Sequence, residues 1–149
     1  MFKRSEIQKK LKNERNKSVV MCCGCFEVFH IGHLEYLEGA KALGDILVVG
    51  VNSDQYIQEH KQRKPIFNVN ERMRIIQSLS CVDYVFEFSE ETFDESLSRL
   101  CPKIFAKGVD RTVVLEEQTC LENGIEIVRI GEEKKGNATE LRRLFLEGA

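Results

Sequence analysis

Apolar residues along the chain alternate between short continuous runs and segments with helical spacing. Residues 19–23 and 46–51 are continuous apolar runs, typical of strands covered on both faces of a parallel sheet. Between them, residues 34–43 carry apolar side chains at helical spacing and stop at Gly44. The first fifty residues therefore predict a strand, a helix and a second strand.

The same alternation continues along the rest of the chain. Further strands are predicted over 84–86, 104–106 and 125–130, further helices over 54–59, 69–79, 93–100, 113–122 and 139–146, and a polar loop over 60–65. This order predicts an α/β fold: a single domain with a Rossmann-like, doubly wound parallel sheet of five strands. Ligands bind such sheets beyond the carboxyl ends of the strands, and the first strand ends at Gly24.

The first 17 residues differ in character from the rest of the chain. Residues 3–17 hold seven Lys or Arg, with Ile7 and Leu11 at i, i+4 spacing. This pattern predicts a charged helical lead-in with a solvated face, ahead of a domain over 18–149.

Composition limits the classes of partner. The 149 residues fit one ordinary domain, and a net charge of −2 gives no general attraction to nucleic acid or to an anionic membrane. No apolar run approaches the roughly 20 residues that a membrane-spanning helix needs, and the N-terminus is too charged for a signal peptide. We therefore expect a cytoplasmic protein without nucleic-acid or membrane partners.

The six cysteines do not form the framework of a small secreted fold. Cys22 and Cys25 have C-x-x-C spacing, which also fits zinc or redox chemistry, but the second ligand pair of a zinc site is not visible. We expect free thiols, with cysteine acting as a small apolar residue in the first strand.

Two histidines stand where the first strand passes into the first helix. His30 and His33 are three positions apart, so their imidazoles share one face of the first turn. A helix N-terminus offers backbone N–H groups and partial positive charge, and each imidazole can donate its Nε2–H to a phosphate oxygen. Gly32 leaves room for close approach. The arrangement suits a phosphate clamp.

Other interpretations of the two histidines fit the same spacing. They are a capping histidine beside a core histidine, a metal site, and chance in an ordinary βα loop. A metal site needs further ligands, and His60 is the remaining histidine of the chain. We therefore expect no protein-bound metal here.

The segment from Gly24 to His33 resembles the G-x-F-D-x-x-H-x-G-H signature of the cytidylyltransferase-like nucleotidyltransferase superfamily. The resemblance extends from about Ser18 to Arg143. Further matches follow in order at 51–54, 61, 63–65, 71–72, 82–85, 88–92, 102, 107–110 and 139–142.

Within the superfamily the chain is most similar to the adenylyltransferase domain of the bifunctional heptose kinase/adenylyltransferase of lipopolysaccharide-core synthesis. The V-N-S-D strand end, the Phe88-x-Glu90-x-Thr92 stretch and the K-G-x-D segment carry this likeness. It implies transfer of AMP from ATP to D-glycero-D-manno-heptose 1-phosphate, giving ADP-heptose and pyrophosphate. Glycerol-3-phosphate cytidylyltransferases are the alternative, with CTP and glycerol 3-phosphate or another polyol phosphate. Relatives commonly form homodimers.

The resemblance assigns a role to each matching position. The catalytic set is His30, His33 and Lys61, with the histidines acting as donors and not as bases. The nucleotide-binding set is Gly24, Cys25, Phe26, Gly32, Lys107, Gly108, Asp110, Thr139 and Arg142. The substrate or phosphate set is Glu27, Arg63, Lys64 and Arg72.

Simpler structural roles remain open for several of these positions. Residues 61–64 also fit a solvated loop, and residues 107–110 fit a turn after a strand. Arg72 could pair with Glu71 or another surface acid, and Thr139 could serve as a helix cap alone.

The chain shows three departures from the family pattern. Glu27 replaces an aspartate and is one methylene longer, where a carboxylate orients the loop or meets the metal–phosphate group. Asn137-Ala138 replaces a Ser-Ser/Thr pair, and Cys25 stands where relatives have Thr or Cys. A non-catalytic nucleotide-binding module is therefore the alternative class. Mg²⁺ is the expected cofactor, held largely by phosphate oxygens and water.

Overall fold

Five parallel strands make one sheet, and helices cover both of its faces. The computed structural model describes residues 2–109 and 113–131. The strands are β1 (Val19–Gly24), β2 (Ile46–Asn52), β3 (Tyr84–Phe88), β4 (Ile104–Gly108) and β5 (Glu126–Ile130). The described helices are α1 (Arg4–Lys12), α2 (Ile31–Lys41), α3 (Asp54–Lys61), α4 (Val69–Gln77), α5 (Asp94–Leu100) and α6 (Glu117–Asn123). The predicted α/β fold with five parallel strands is confirmed.

The strand order is β3-β2-β1-β4-β5, so the direction of winding reverses at β1. β1 pairs with β2 on one side, with Gly24 opposite Val51, and with β4 on the other, with Val20 opposite Ile104. A crevice forms at such a reversal beyond the carboxyl ends of the strands. The segment 25–33 after β1, which includes the first turn of α2 and is called the histidine loop below, therefore begins at the edge where this fold binds ligands.

Alternate residues of the strands point to opposite faces of the sheet and contribute to two separate hydrophobic cores. All seven residues of β2 are buried, as expected for a central parallel strand. Val49 belongs to the core cluster that includes Leu37 of α2 and Ile76 of α4. Val48 belongs to the second cluster, beneath α1, α5 and α6.

The charged lead-in contributes to the second cluster. Ile7 is 0% exposed and Leu11 is 9% exposed, and both lie in the cluster that contains Phe86 and Phe93. The apolar stripe of α1 is therefore buried against the sheet. Lys9, Lys10 and Lys12 are exposed, whereas Arg4 pairs with Glu90.

Several predicted element boundaries differ from the observed ones, and two of these differences have a clear structural cause. Residues 60 and 61 belong to α3 and not to a loop, because the helix continues to Gln62, whose φ of 52° ends it. α6 begins at Glu117 and not at Val113, because Leu115 and Glu116 form a turn in which Glu116 is buried and accepts a hydrogen bond from the Phe93 backbone. The predicted helix over 139–146 lies outside the described residues.

Candidate active site

The two histidines of the loop are held by their Nδ1 atoms. His30 is the N-cap of α2, and its Nδ1 accepts the Gly32 backbone N–H at 3.0 Å. The Nδ1 of His33 accepts the backbone N–H of His30 at 3.2 Å. A neutral imidazole that accepts through Nδ1 carries its proton on Nε2. Local capping therefore leaves both rings with an Nε2–H donor, and the capping interpretation and the phosphate-donor interpretation are compatible.

Ring packing fixes the orientation of these imidazoles. The ring centroids of His30 and His33 are 3.9 Å apart. His33 also lies 5.3 Å from the ring of Phe26, edge to face, and 5.4 Å from the ring of Phe29. Aromatic neighbours on several sides restrict rotation, so the donors are positioned before a ligand arrives.

Glu27 ties this loop to the end of α3. Its side chain is 0% exposed, and its Oε1 accepts from Lys61 Nζ and Arg63 Nη2, both at 2.8 Å. Its Oε2 accepts from Arg63 Nη1 at 2.9 Å and from the Ile66 backbone N–H at 3.3 Å. Each carboxylate oxygen thus accepts two donors. Of the two predicted roles for this carboxylate, orienting the loop fits this geometry, and direct contact with a metal–phosphate group does not.

The ionisation of Glu27 follows from these contacts. Burial raises the pKa, but hydrogen bonds from Arg63 and Lys61, the charge of Lys61 and the Ile66 N–H together outweigh burial and lower the pKa from 4.5 to about 2. The carboxylate stays ionised throughout the physiological range, and Lys61 and Arg63 have a permanent anionic partner.

This pKa predicts how stability depends on pH. Because folding depresses the pKa, the stabilisation by Glu27 is complete above about 4.5 and is lost as the pH falls through about 2. The difference in free energy of unfolding between wild type and Glu27→Gln should fall by about 2 kcal/mol between pH 6 and pH 3. Urea denaturation at the two pH values measures it.

The matched control for this prediction is Glu95→Gln. Glu95 forms an exposed pair with Arg99 on α5, away from the histidine loop. The free energy of unfolding of Glu95→Gln should stay within about 0.5 kcal/mol of the wild-type value at both pH values. A difference for Glu27→Gln that does not change with pH would contradict the depressed pKa.

Arg72 lies beneath the loop and is 1% exposed. Its Nη1 donates to the carbonyl oxygens of Cys25 at 2.7 Å and Asn52 at 2.8 Å, so one guanidinium joins the ends of β1 and β2. Its Nε donates to the carbonyl of Phe67, and its Nη2 pairs with Asp54 at 2.7 Å. The predicted phosphate contact does not fit this buried position. The surface-acid alternative does, with Asp54 as the acid.

The remaining loop residues line the carboxyl end of β1. Phe26 has a φ of 50°, and its ring is buried. A Cβ on Gly24 would lie 3.0 Å from that ring, so glycine lets the chain fold back over Phe26. The thiol of Cys25 lies 3.6 Å from the Asn52 side-chain oxygen. Gly32 supplies the backbone N–H that the His30 side chain caps. These positions surround the histidines, and their contact with a nucleotide remains a prediction.

Of the other predicted site residues, those that the structure describes lie outside the histidine loop. Lys107 and Gly108 end β4, at the same edge as β1, but the Lys107 ammonium lies 5.3 Å from the Phe105 ring, on the face of the second cluster. Lys64 is exposed, and its carbonyl accepts from Arg63. Asp110, Thr139 and Arg142 lie outside the described residues.

Two residues of the V-N-S-D strand end have roles that the sequence motif did not reveal. The carbonyl oxygen of Asn52 accepts a hydrogen bond from Nη1 of Arg72. The Asp54 carboxylate accepts one from Nη2 of the same guanidinium. The V-N-S-D motif indicated that these residues matter, but it did not identify their partner, because Arg72 is distant from both in sequence.

The cysteines agree with the expectation of free thiols. Within 2–109 and 113–131 all six cysteines are thiols without a disulfide bond, and no cluster of three or more His, Cys, Asp or Glu could hold a metal ion. None of the helices in this part of the chain is long and apolar enough to cross a membrane.

Comparison with known proteins agrees with this fold. The model of the cytidylyltransferase-like family matches residues 21–138. The bifunctional protein HldE of Syntrophotalea carbinolica is 44% identical over 103 residues, which cover 68% of this chain and 21% of that protein. HldE of Helicobacter pylori strain J99 is 48% identical over 99 residues, covering 65% and 21%. The chain thus spans about a fifth of the length of these curated relatives.

A solved structure supports the same fold. The lipopolysaccharide core biosynthesis protein of Thermoplasma volcanium superposes with a TM-score of 0.69 at 31% identity, over 79% of this chain and 99% of that one. The chain belongs to the cytidylyltransferase-like family. The predicted resemblance to the bifunctional heptose protein is confirmed as well, because HldE proteins are among the relatives found.

Proposed function

We propose that this domain transfers a nucleoside monophosphate from a nucleoside triphosphate to a phosphorylated sugar and releases pyrophosphate. The observation that carries the proposal is the pair of anchored Nε2–H donors of His30 and His33 at the N-terminus of α2, beside the switch point of the sheet. A cationic group, Lys61 with Arg63, is tied to the same loop through Glu27.

The chemistry proposed for this site is direct in-line transfer. An oxygen of the acceptor phosphate attacks the α-phosphorus, the bond from the α-phosphorus to the bridging oxygen breaks, and pyrophosphate leaves. His30, His33 and Lys61 donate hydrogen bonds to the phosphate oxygens on which charge develops, and the helix N-terminus adds its dipole. Positioning and charge stabilisation supply the catalysis, without a covalent intermediate.

Mg²⁺ is proposed to enter with the nucleotide. The described residues offer no cluster of carboxylates for a resident ion, and the Glu27 oxygens are already used by cationic donors. The triphosphate with its own Mg²⁺ is therefore the proposed substrate form.

ATP and D-glycero-D-manno-heptose 1-phosphate are the first substrates to test, because two HldE proteins are more than 40% identical to this chain. CTP with glycerol 3-phosphate or another polyol phosphate is the alternative, in keeping with the cytidylyltransferase-like family. A homodimer and a cytoplasmic location remain predictions.

A pyrophosphate-release screen tests the proposal. ATP, CTP, GTP and UTP are each combined with sugar 1-phosphates and polyol phosphates, with Mg²⁺ and with excess chelator. We expect turnover for ATP with heptose 1-phosphate and loss of that turnover with chelator. Nucleotide binding without turnover in any combination would instead identify a non-catalytic nucleotide-binding module.

A further inference from the structure

Glu27 is the one carboxylate that links the histidine loop to the basic residues after α3 in the described structure. Its side chain is fully buried, whereas those of Lys61 and Arg63 are 30% and 29% exposed. The carboxylate itself therefore cannot meet a ligand in this arrangement, but the two cations can. Any effect of Glu27 on the bound nucleotide must act through its partners.

The two cations retain donors beyond those that Glu27 uses. One of the three Lys61 N–H donors goes to Glu27. Arg63 uses both terminal nitrogens on Glu27 and one further N–H on the Lys64 carbonyl, out of five donors. Two positive charges against one carboxylate leave a net charge of +1, so the cluster remains attractive to phosphate.

The length of the glutamate side chain matters for this linkage. Glu27 accepts the fork of Arg63 on both oxygens and also reaches the backbone N–H of Ile66. An aspartate at this position would be shorter by one carbon–carbon bond, about 1.5 Å. From the same backbone it could not maintain all four contacts. The longer side chain lets the loop hold the segment 61–66 directly.

We propose that Glu27 is a positioning residue, a latch that holds Lys61 and Arg63 beside the histidine donors before the nucleotide binds. This inference rests on the proposed function and adds how its basic residues are placed. Preorganised charge costs no rearrangement when the triphosphate arrives, so the latch should contribute to nucleotide affinity and to the rate of transfer.

Two variants separate the effect of the charge of Glu27 from the effect of its side-chain length. Glu27→Gln retains the length and loses the charge, whereas Glu27→Asp retains the charge and loses the length. Because the latch needs both, we expect each variant to raise the KM for the nucleotide at least 5-fold and to lower kcat. Glu95→Gln is the control and should leave both constants unchanged, since its carboxylate lies on α5.

A double-mutant cycle shows whether Glu27 acts through Lys61. Glu27→Gln is measured alone and in the Lys61→Met background, by steady-state kinetics and by calorimetric titration of ATP with Mg²⁺ in the absence of acceptor. The latch predicts that Glu27→Gln changes KM less in the Lys61→Met background than in the wild type, because one of the two residues through which it acts is missing. A purely structural role predicts the same effect in both backgrounds.

Each other outcome has a definite meaning. Tighter nucleotide binding by Glu27→Gln would overturn the latch, because it would show that the carboxylate competes with phosphate for Lys61. A lower unfolding midpoint with unchanged KM and kcat would also overturn it. If the wild type binds none of the four nucleotides, the proposed function itself fails and the latch with it; binding that is equal in wild type and variants defeats the latch alone.

Discussion

Replacing His30 by Asn should lower kcat about 100-fold and leave the fold intact. Asparagine is a good N-cap and can accept the Gly32 N–H that Nδ1 of His30 accepts now. It cannot place a donor where the imidazole Nε2–H lies. Loss of one preorganised donor to a developing charge costs about 2.7–4 kcal/mol in comparable sites, which corresponds to ~100-fold or more in kcat.

The measurement combines kcat with urea denaturation, so that catalysis and capping are read separately. His30→Ala and His33→Ala should lower kcat by at least as much, because they remove the donors together with the caps. His60→Ala is the matched control, since that ring stacks on Tyr56 at 4.0 Å in α3. Near-normal kcat in both alanine variants at positions 30 and 33 would refute the phosphate clamp.

Replacing Arg72 by Met should have the largest effect on stability. The variant leaves the buried carbonyl of Asn52 and the half-buried carbonyl of Cys25 without their donor and leaves Asp54 without its cation. Leaving a buried hydrogen-bond acceptor without its donor costs about 1–3 kcal/mol, so the loss at the two carbonyls amounts to roughly 2–6 kcal/mol. At about 2–4 °C per kcal/mol for a domain of roughly this size, the unfolding midpoint should fall by roughly 10 °C.

Thermal unfolding of Arg72→Met beside Arg99→Met provides the comparison. Arg99 pairs with Glu95 on the exposed face of α5, so its loss should cost less than about 1 kcal/mol. If Arg72→Met were as stable as wild type and failed only in catalysis, the phosphate contact that the family resemblance implies for Arg72 would be favoured over the structural role.

The local parts of this site follow from short-range rules. The apolar run of β1, its end at Gly24 and the spacing of His30 and His33 are sufficient to place two imidazoles at a helix N-terminus. The tautomer follows from equally local contacts, because each Nδ1 accepts a backbone N–H two or three residues away. Short separations leave few alternative geometries, and these features were therefore predictable.

The long-range partners were not predictable in the same way. Glu27 meets Lys61 and Arg63 across 34 and 36 residues, and Arg72 meets Cys25 across 47. A family motif indicates that such residues matter, but it does not distinguish a phosphate contact from a contact with the protein itself. Burial makes that distinction, since the Glu27 side chain is 0% exposed and Arg72 is 1% exposed.

The sequence by itself determined the α/β alternation, the parallel sheet, the histidine pair at the end of β1 and the family, because each rests on periodicity or on an ordered motif. Only the tertiary structure decided which charged side chains are buried and which groups they pair with. Strand order brings the ends of β1 and β2 side by side, with Gly24 opposite Val51, and the buried guanidinium of Arg72 joins the two. The charge of a side chain is written in the sequence, but its solvation and its partner depend on which distant segments the fold brings together.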